Sequence, residues 1–456
     1  MEKETRNRIQ RATQAARTLL EHEYSEQLEG IFDIRLNGSI AKEPGEHLDA
    51  KQLVIRHKLI AAVEHHHANG LSNEEAVATY LRETAFTTLN RFVALKMLEV
   101  RELVQECISR GDQSAGFKEF SGLAPGLVHL ADHGYRLYIE SLFDEIGREV
   151  RVLFDRRDSA SLLWPRRQTI QDLLVILNTQ DLATVWNEDE TIGWVYQYFN
   201  GEDERKKMRD ESSAPRNSRE LAVRNQFFTP RYVVQFLVDN TVGRTWFEMM
   251  KGKTQLKGLD YLVRRQYEVF LDAGEELPEE PEGITFGQTP EHPFPVPFRN
   301  KKDPRDLKIL DPACGSGHFL LYSLDILLTI YEEAWHDDGA AKSQITGNVL
   351  RADYTDLDTL RIAVPELVLR HNLHGIEIDP RAAQITGLAL WLRVQRAYQD
   401  AQLARADRPV ISQTNIVVAE PMPGEVDLRD EFLSRLDPKL AELVTRIFND
   451  MDMAGE

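Results

Sequence analysis

The heptapeptide Asp311–Gly317, DPACGSG, follows a short apolar run (Lys308–Leu310) and precedes an amphipathic one (Phe319–Trp335). No other stretch constrains the fold as tightly. The spacing predicts a strand, a glycine-containing turn and a helix. A glycine pair between a strand and a helix is by itself only a tight turn. The full string at such a junction points further, to a ligand lying across the carboxyl ends of parallel strands. Gly315 and Gly317 keep the backbone bare where the ligand passes, and the start of the helix offers N–H groups to a ligand carboxylate.

A second strand–helix junction follows at LHGIEIDPRAAQITGLALWLR, with His374–Ile378 as the strand. Pro380 opens a helix whose apolar face includes Ile385, Leu388 and Leu392. An acidic residue at the end of the second strand of such a fold accepts hydrogen bonds from ribose hydroxyls, and Glu377 or Asp379 can take that role. Asp379 reads equally well as the N-cap of the helix. Asp311 and Glu377 lie some 66 residues apart, against about 20 in a simple nucleotide-binding unit. Residues 336–370 are therefore expected to be an insertion or an extra helical excursion.

The rest of the chain reads differently. Residues 1–200 show apolar residues at three- and four-residue spacing and are expected to form a helical domain, with helices over 51–68, 73–110 and 134–154. Asn73, with Glu75 after it, marks a helix start and Gly111 a stop. Residues 201–306 are expected to be a linker region: a charged run over 200–219, a short helix with Thr229 as its N-cap and Pro230 in its first turn, and an exposed Pro/Glu/Gly-rich loop over 275–297. From residue 307 the pattern becomes α/β.

Composition limits the class. At 456 residues the chain exceeds one ordinary core. Its two cysteines, Cys107 and Cys314, exclude a disulfide framework and suggest a reducing cytoplasm. No apolar run is long enough for a membrane span, so no membrane association is expected. The net charge of −19 is unusual for a protein that grips DNA by itself, because phosphate neutralisation supplies most non-specific affinity. His65, His66 and His67 are adjacent on a helix and cannot converge on a metal, so none is expected.

Three motifs in order carry a resemblance. Asp311–Gly317 resembles the S-adenosyl-L-methionine (AdoMet) motif of N6-adenine DNA methyltransferases, GIEIDP (375–380) their second motif, and FFTP (227–230) their F-x-T-P motif. AFTTLNRFVALKMLEVR (85–101) and ETIGWVYQYFN (190–200) are similar to the helical N-terminal region of the large phage-defence enzymes of the BREX type (PglX) and their DISARM relatives. The resemblance implies an α/β protein: a mostly helical N-terminal domain over 1–200, then, over 307–456, part of a Rossmann-like AdoMet-dependent methyltransferase domain. Thr229 and Pro230 would contact the methionine end of AdoMet. Asp311, Ala313, Gly315 and Gly317 would line its methionine and sulfonium region. Glu377, or Asp379 beside it, would bind the ribose, with Ile378 against the adenine and Glu420 toward the adenine amine.

The implied reaction needs no metal. The target adenine is flipped out of the duplex and its amine attacks the methyl sulfonium. The family activates that amine with an (N/D)PP(Y/F) tetrapeptide, which does not occur in the sequence. The chain is therefore expected to be a part cut before the catalytic motif and inactive alone. Duplex DNA would bind mainly through missing C-terminal segments, and other defence proteins or a complementing C-terminal chain are expected as partners. The rival expectation is a non-catalytic AdoMet-sensing or assembly module. A nuclease fused to the methyltransferase finds no support in the helical region.

Overall fold

The computed structural model describes the chain except residues 1–2, 69, 131–132, 216–217, 225–228, 280–282, 284, 412–413, 420–425 and 454–456. It divides into two compact units. The first comprises Met1–Gln226, Ile378–Leu388 and Val418–Glu456, and the second Phe227–Glu377 and Ala389–Val417.

The first unit is helical, organised on the helix Asn73–Val100, which is buried almost all round from Ala76 to Leu98. Ser72 opens this helix with a reciprocal cap: its hydroxyl accepts from the Glu75 amide, and the Glu75 carboxylate accepts from the Ser72 amide. Lys3–Gly30, Ala50–Ala68 and Thr191–Phe199 pack against it. The first of these buries Ala16, Leu20, Tyr24 and Leu28 at four-residue spacing. The central helix stops at Val100 rather than running to 110. The carboxylate of Glu99 collects the amides of Cys107, Ile108 and Ser109, and this folds the chain back on itself. The charged run near 200–219, expected as a loop, contains the helices Glu202–Glu211 and Ser218–Arg224.

The second unit mixes helices with two small sheets. β1 (Glu268–Phe270) pairs in parallel with β2 (Phe294–Val296), so the expected 275–297 loop ends in a strand. Pro295 is tolerated because a two-stranded sheet leaves its missing N–H on an edge. The larger sheet has the order β3 (Ile309–Asp311), β4 (Leu373–Glu377), β5 (Asn415–Val418). β3 and β4 are parallel, with Ile309 opposite Leu373 and Asp311 opposite Gly375.

Between β3 and β4 lies the helix His318–His336, whose buried positions Leu320, Leu324, Leu327, Tyr331 and Ala334 alternate four- and three-residue steps. The long excursion that follows is helical, with Leu357–Leu367 running into a wide turn over Val368–Asn372. Asn372 fixes the entry to β4. It is fully buried, its amide donates to the carbonyls of Pro304 and Leu307, and its oxygen accepts from the Tyr331 hydroxyl at 2.9 Å. No described helix is long and apolar enough to cross a membrane.

Candidate functional site

The site is the turn between β3 and the helix His318–His336, held against the end of β4. Asp311 ends β3. Its Oδ1 accepts the Ala313 amide at 3.2 Å, while its Oδ2 is buried with no hydrogen-bond partner among the described residues. Burial pushes the Asp311 carboxyl above its ordinary value, with the Ala313 amide opposing. Pro312 and Ala313 are exposed and Cys314 is buried.

Two bonds tie the turn to β4. The Cys314 amide donates to the Ile376 carbonyl at 3.0 Å, and the Gly315 amide to Glu377 Oε2 at 2.7 Å. Gly375 makes the approach possible. A Cβ there would meet Ile416 Cδ1 at 2.8 Å and Cys314 Sγ and Leu320 Cδ1 at 3.1 Å. Gly315 has φ +55° and faces open space, since a Cβ added there would meet nothing within 4 Å. Gly317, at φ +84°, is the N-cap of the helix, which has no side-chain cap. The turn therefore presents an uncovered backbone, a buried carboxylate oxygen and a helix N-terminus within one short stretch of chain.

The F-x-T-P segment is described from Thr229 onward, Phe227 and Phe228 lying outside the described residues. Thr229 is half-buried and does not cap the helix. Pro230 occupies the N-cap position without a side-chain cap, because the helix Arg231–Val238 begins one residue later than expected. That helix packs against His318–His336, so the segment shares a neighbour with the glycine turn. The Tyr322 hydroxyl, on the latter helix, donates to Asp239 Oδ1 at 2.8 Å, just after the former.

The two acids of GIEID part company. Glu377 turns to the glycine turn, in the second unit. Asp379 belongs to the first unit, where it is 4% exposed. Its Oδ1 accepts the Arg381 amide at 3.0 Å and the Arg381 Nε at 2.9 Å, and its Oδ2 accepts Arg381 Nη2 at 2.8 Å and the Tyr196 hydroxyl at 3.0 Å. Burial alone would raise its pKa, but Arg381 and Tyr196 outweigh it and hold the carboxyl below its usual value. The Arg381 guanidinium also lies 5.4 Å from the Phe86 ring centre. Ile378, between the two acids, is half-buried, and Glu420 lies outside the described residues.

Sequence reasoning singled out the stretches containing Tyr196 and Phe86 without assigning either a role. Arg381 and Gly375 likewise lay in quoted stretches with no role assigned. The available signals were an arginine two residues past an acid at a helix start, and a glycine inside a strand.

Residues 300–422 match the family described as MmeI, DNA-methyltransferase domain. The chain is similar to the adenine-specific methyltransferase BrxX of Escherichia coli O9:H4 (strain HS), 28% identical over 290 residues, which cover 63% of this chain and 19% of that protein. It is similar to the adenine-specific methyltransferase PglX of Lacticaseibacillus casei (strain Zhang), 22% identical over 383 residues, covering 75% and 28%. A putative type II restriction enzyme and methyltransferase of Methanocaldococcus jannaschii is 33% identical over 86 residues, covering 19% and 6%. The chain thus spans less than a third of the length of each of these relatives.

Proposed function

From the match of residues 300–422 to the MmeI DNA-methyltransferase domain and the likeness to BrxX and PglX, we propose that the chain is part of a BREX-type adenine-specific methyltransferase and holds AdoMet on a Rossmann-like sheet. We propose further that the whole protein transfers the methyl group to adenine N6 in DNA. AdoMet supplies a methyl group made electrophilic by its sulfonium. The chain's residues hold and orient it. Asp311 sets a negative charge against the cationic methionine end, with Ala313 and the bare backbone at Gly315 and Gly317 alongside. The helix N-terminus after Gly317 faces the methionine carboxylate. Glu377 accepts from the ribose, Ile378 packs on the adenine, and Thr229 and Pro230 flank the methionine. Asp379, committed to Arg381 and Tyr196, anchors the segment, and Glu420 is assigned to the adenine amine.

The observation that carries this reading is the buried Asp311 Oδ2, without a hydrogen-bond partner among the described residues, beside the open face of Gly315. A buried carboxylate oxygen without a partner is costly unless a ligand satisfies it. Titration calorimetry of the chain with AdoMet, beside Asp311→Asn, tests it. Binding by the wild type, weakened at least tenfold in the variant, supports the reading, and silence in both removes it.

No (N/D)PP(Y/F) tetrapeptide occurs in this sequence, and the chain spans less than a third of its relatives, so transfer is proposed for the whole protein. Tritiated AdoMet with mixed-sequence DNA and the complete gene product separates transfer from the rival reading. Binding without transfer would favour a sensing or assembly module. Double-stranded DNA and other defence-system proteins are the partners proposed, in the cytoplasm.

A further inference from the structure

Six cations meet in one cleft of about 820 Å3 in the helical unit: Lys51, Arg91, Arg136, Arg156, Arg166 and Arg167. Glu140 is the one carboxylate among the residues lining it, in a chain with a formal net charge of −19. Two guanidiniums share that carboxylate. Arg136 Nε donates to Glu140 Oε1 at 2.8 Å and Arg156 Nη2 to Glu140 Oε2 at 2.6 Å. Further acids that pair these arginines, Asp144 with Arg156, Glu23 and Glu26 with Arg166, and Asp112 with Arg167, are not lining residues.

Arg91 is the most telling member. It is 5% exposed, and its guanidinium donates to the carbonyls of Leu153 at 2.7 Å and Asp155 at 3.0 Å. Those bonds fix its position without cancelling its charge. Burial pulls its pKa down only to about 10, so it stays protonated at neutral pH. Trp164 adds an aromatic wall, half-buried in the cleft, with the Arg136 guanidinium 5.0 Å from its ring centre. Guanidinium forks match phosphate oxygens, and the part of Trp164 left open beside Arg136, Phe92 and Phe143 offers a base an aromatic contact. The volume suits one small ligand, typically about 300–1,000 Å3. A duplex keeps its bases stacked inside and cannot lay one on Trp164.

We propose that this cleft binds a nucleotide, its phosphate on Arg136 and Arg156 and its base against Trp164. The nucleotide is either a free nucleoside phosphate or one unit of an unpaired nucleic-acid strand.

Fluorescence anisotropy on the full 456-residue chain tests this with two probes, MANT-ATP and a fluorescein-labelled single-stranded 12-mer. Each is run with the wild type, with Lys51→Gln, and with Arg136→Gln combined with Arg156→Gln. Both arginines are partly exposed, at 42% and 39% of the side chain, so the double variant leaves the buried Arg91 in place. Thermal melts of all three proteins check the fold. The expected result is saturable binding of at least one probe, weakened at least tenfold in the double variant and measurably in Lys51→Gln. For the strand, the salt dependence should also become shallower. Response to MANT-ATP alone identifies the free nucleotide as the source, and response to the 12-mer alone identifies the strand. No binding of either probe by the wild type, or binding unchanged in both variants, overturns the proposal. Neither readout depends on AdoMet.

Discussion

The Gly315 amide donates to Glu377 Oε2 at 2.7 Å, across a turn whose neighbouring amide, that of Cys314, donates to the Ile376 carbonyl. One carboxylate thus closes the glycine turn onto β4 and is also the group proposed to meet the ribose. A bond to a charged acceptor contributes about 1.5–3 kcal/mol. Glu377→Ala is therefore expected to loosen the turn, to lower the melting temperature by several degrees, and to weaken AdoMet binding by about ten- to a hundredfold. Calorimetry alongside a thermal melt checks this, and unchanged affinity would remove Glu377 from the site.

The two glycines of this corner serve opposite ends. Gly315→Ala meets no neighbour, so it adds only left-handed backbone strain of about 1 kcal/mol. It should still fold while binding AdoMet poorly, because the methyl group occupies the ligand's side. Gly375→Ala pushes into Ile416, Cys314 and Leu320, and overpacking of this kind costs about 1–3 kcal/mol. It should lower the melting temperature first. The same ranking of the two variants in both assays would refute the assignment.

Asp311 gives the pH dependence. Its folded pKa lies above its unfolded one because burial disfavours the charge. The folded state therefore binds the proton more tightly, and this group weighs against folding once pH rises through its folded value. Asp311→Asn should melt no lower than wild type at pH 7.5, and any gain should vanish below about pH 4, where the unfolded carboxyl is also protonated. AdoMet affinity should move the other way. It should fall as the wild type is acidified, starting above the usual Asp range, and should be low at every pH in the variant. Differential scanning fluorimetry at pH 3.5, 5 and 7.5 reads the first, and calorimetry at pH 5 and 7.5 the second.

Arg381→Met would leave Asp379 buried without its cation, a change that typically costs about 3–5 kcal/mol. Tyr196→Phe removes one hydrogen bond to the same carboxylate and should cost about 1–2 kcal/mol. Chemical denaturation should rank them in that order. Equal stability in both would mean that the ion pair contributes little to folding.

The glycine turn was legible in the sequence because left-handed backbone and bare approach admit few residues, and Gly315 and Gly317 announce both needs. The split between Glu377 and Asp379 was not legible. Two acids two positions apart at a strand end offer the same chemistry, and which of them is captured depends on Arg381 and Tyr196, the latter 183 residues away. The helix Glu202–Glu211 read as a linker because it has no apolar stripe, with Met208 its one buried hydrophobic residue among those described. Asn73–Val100 was read ten residues too long, because periodicity cannot foresee that the Glu99 carboxylate would take up the amides of Cys107, Ile108 and Ser109. β2, three residues long with a proline at its centre, carried no strand signal.

The parallel pairing of β3 with β4 also sets an order of events as the chain folds. Ile309 finds Leu373 only after about sixty intervening residues have been made and gathered. Closing a loop of that length costs roughly 3–4 kcal/mol before any contact repays it, and such long-range registers form slowly. Until β4 arrives, the Cys314 and Gly315 amides have no acceptors there, so the closed corner is absent from any early intermediate. A ligand that recognises only the finished corner draws the equilibrium toward it by mass action. On the proposed reading, the concentration of AdoMet in a cell would then bear on how much of the protein matures.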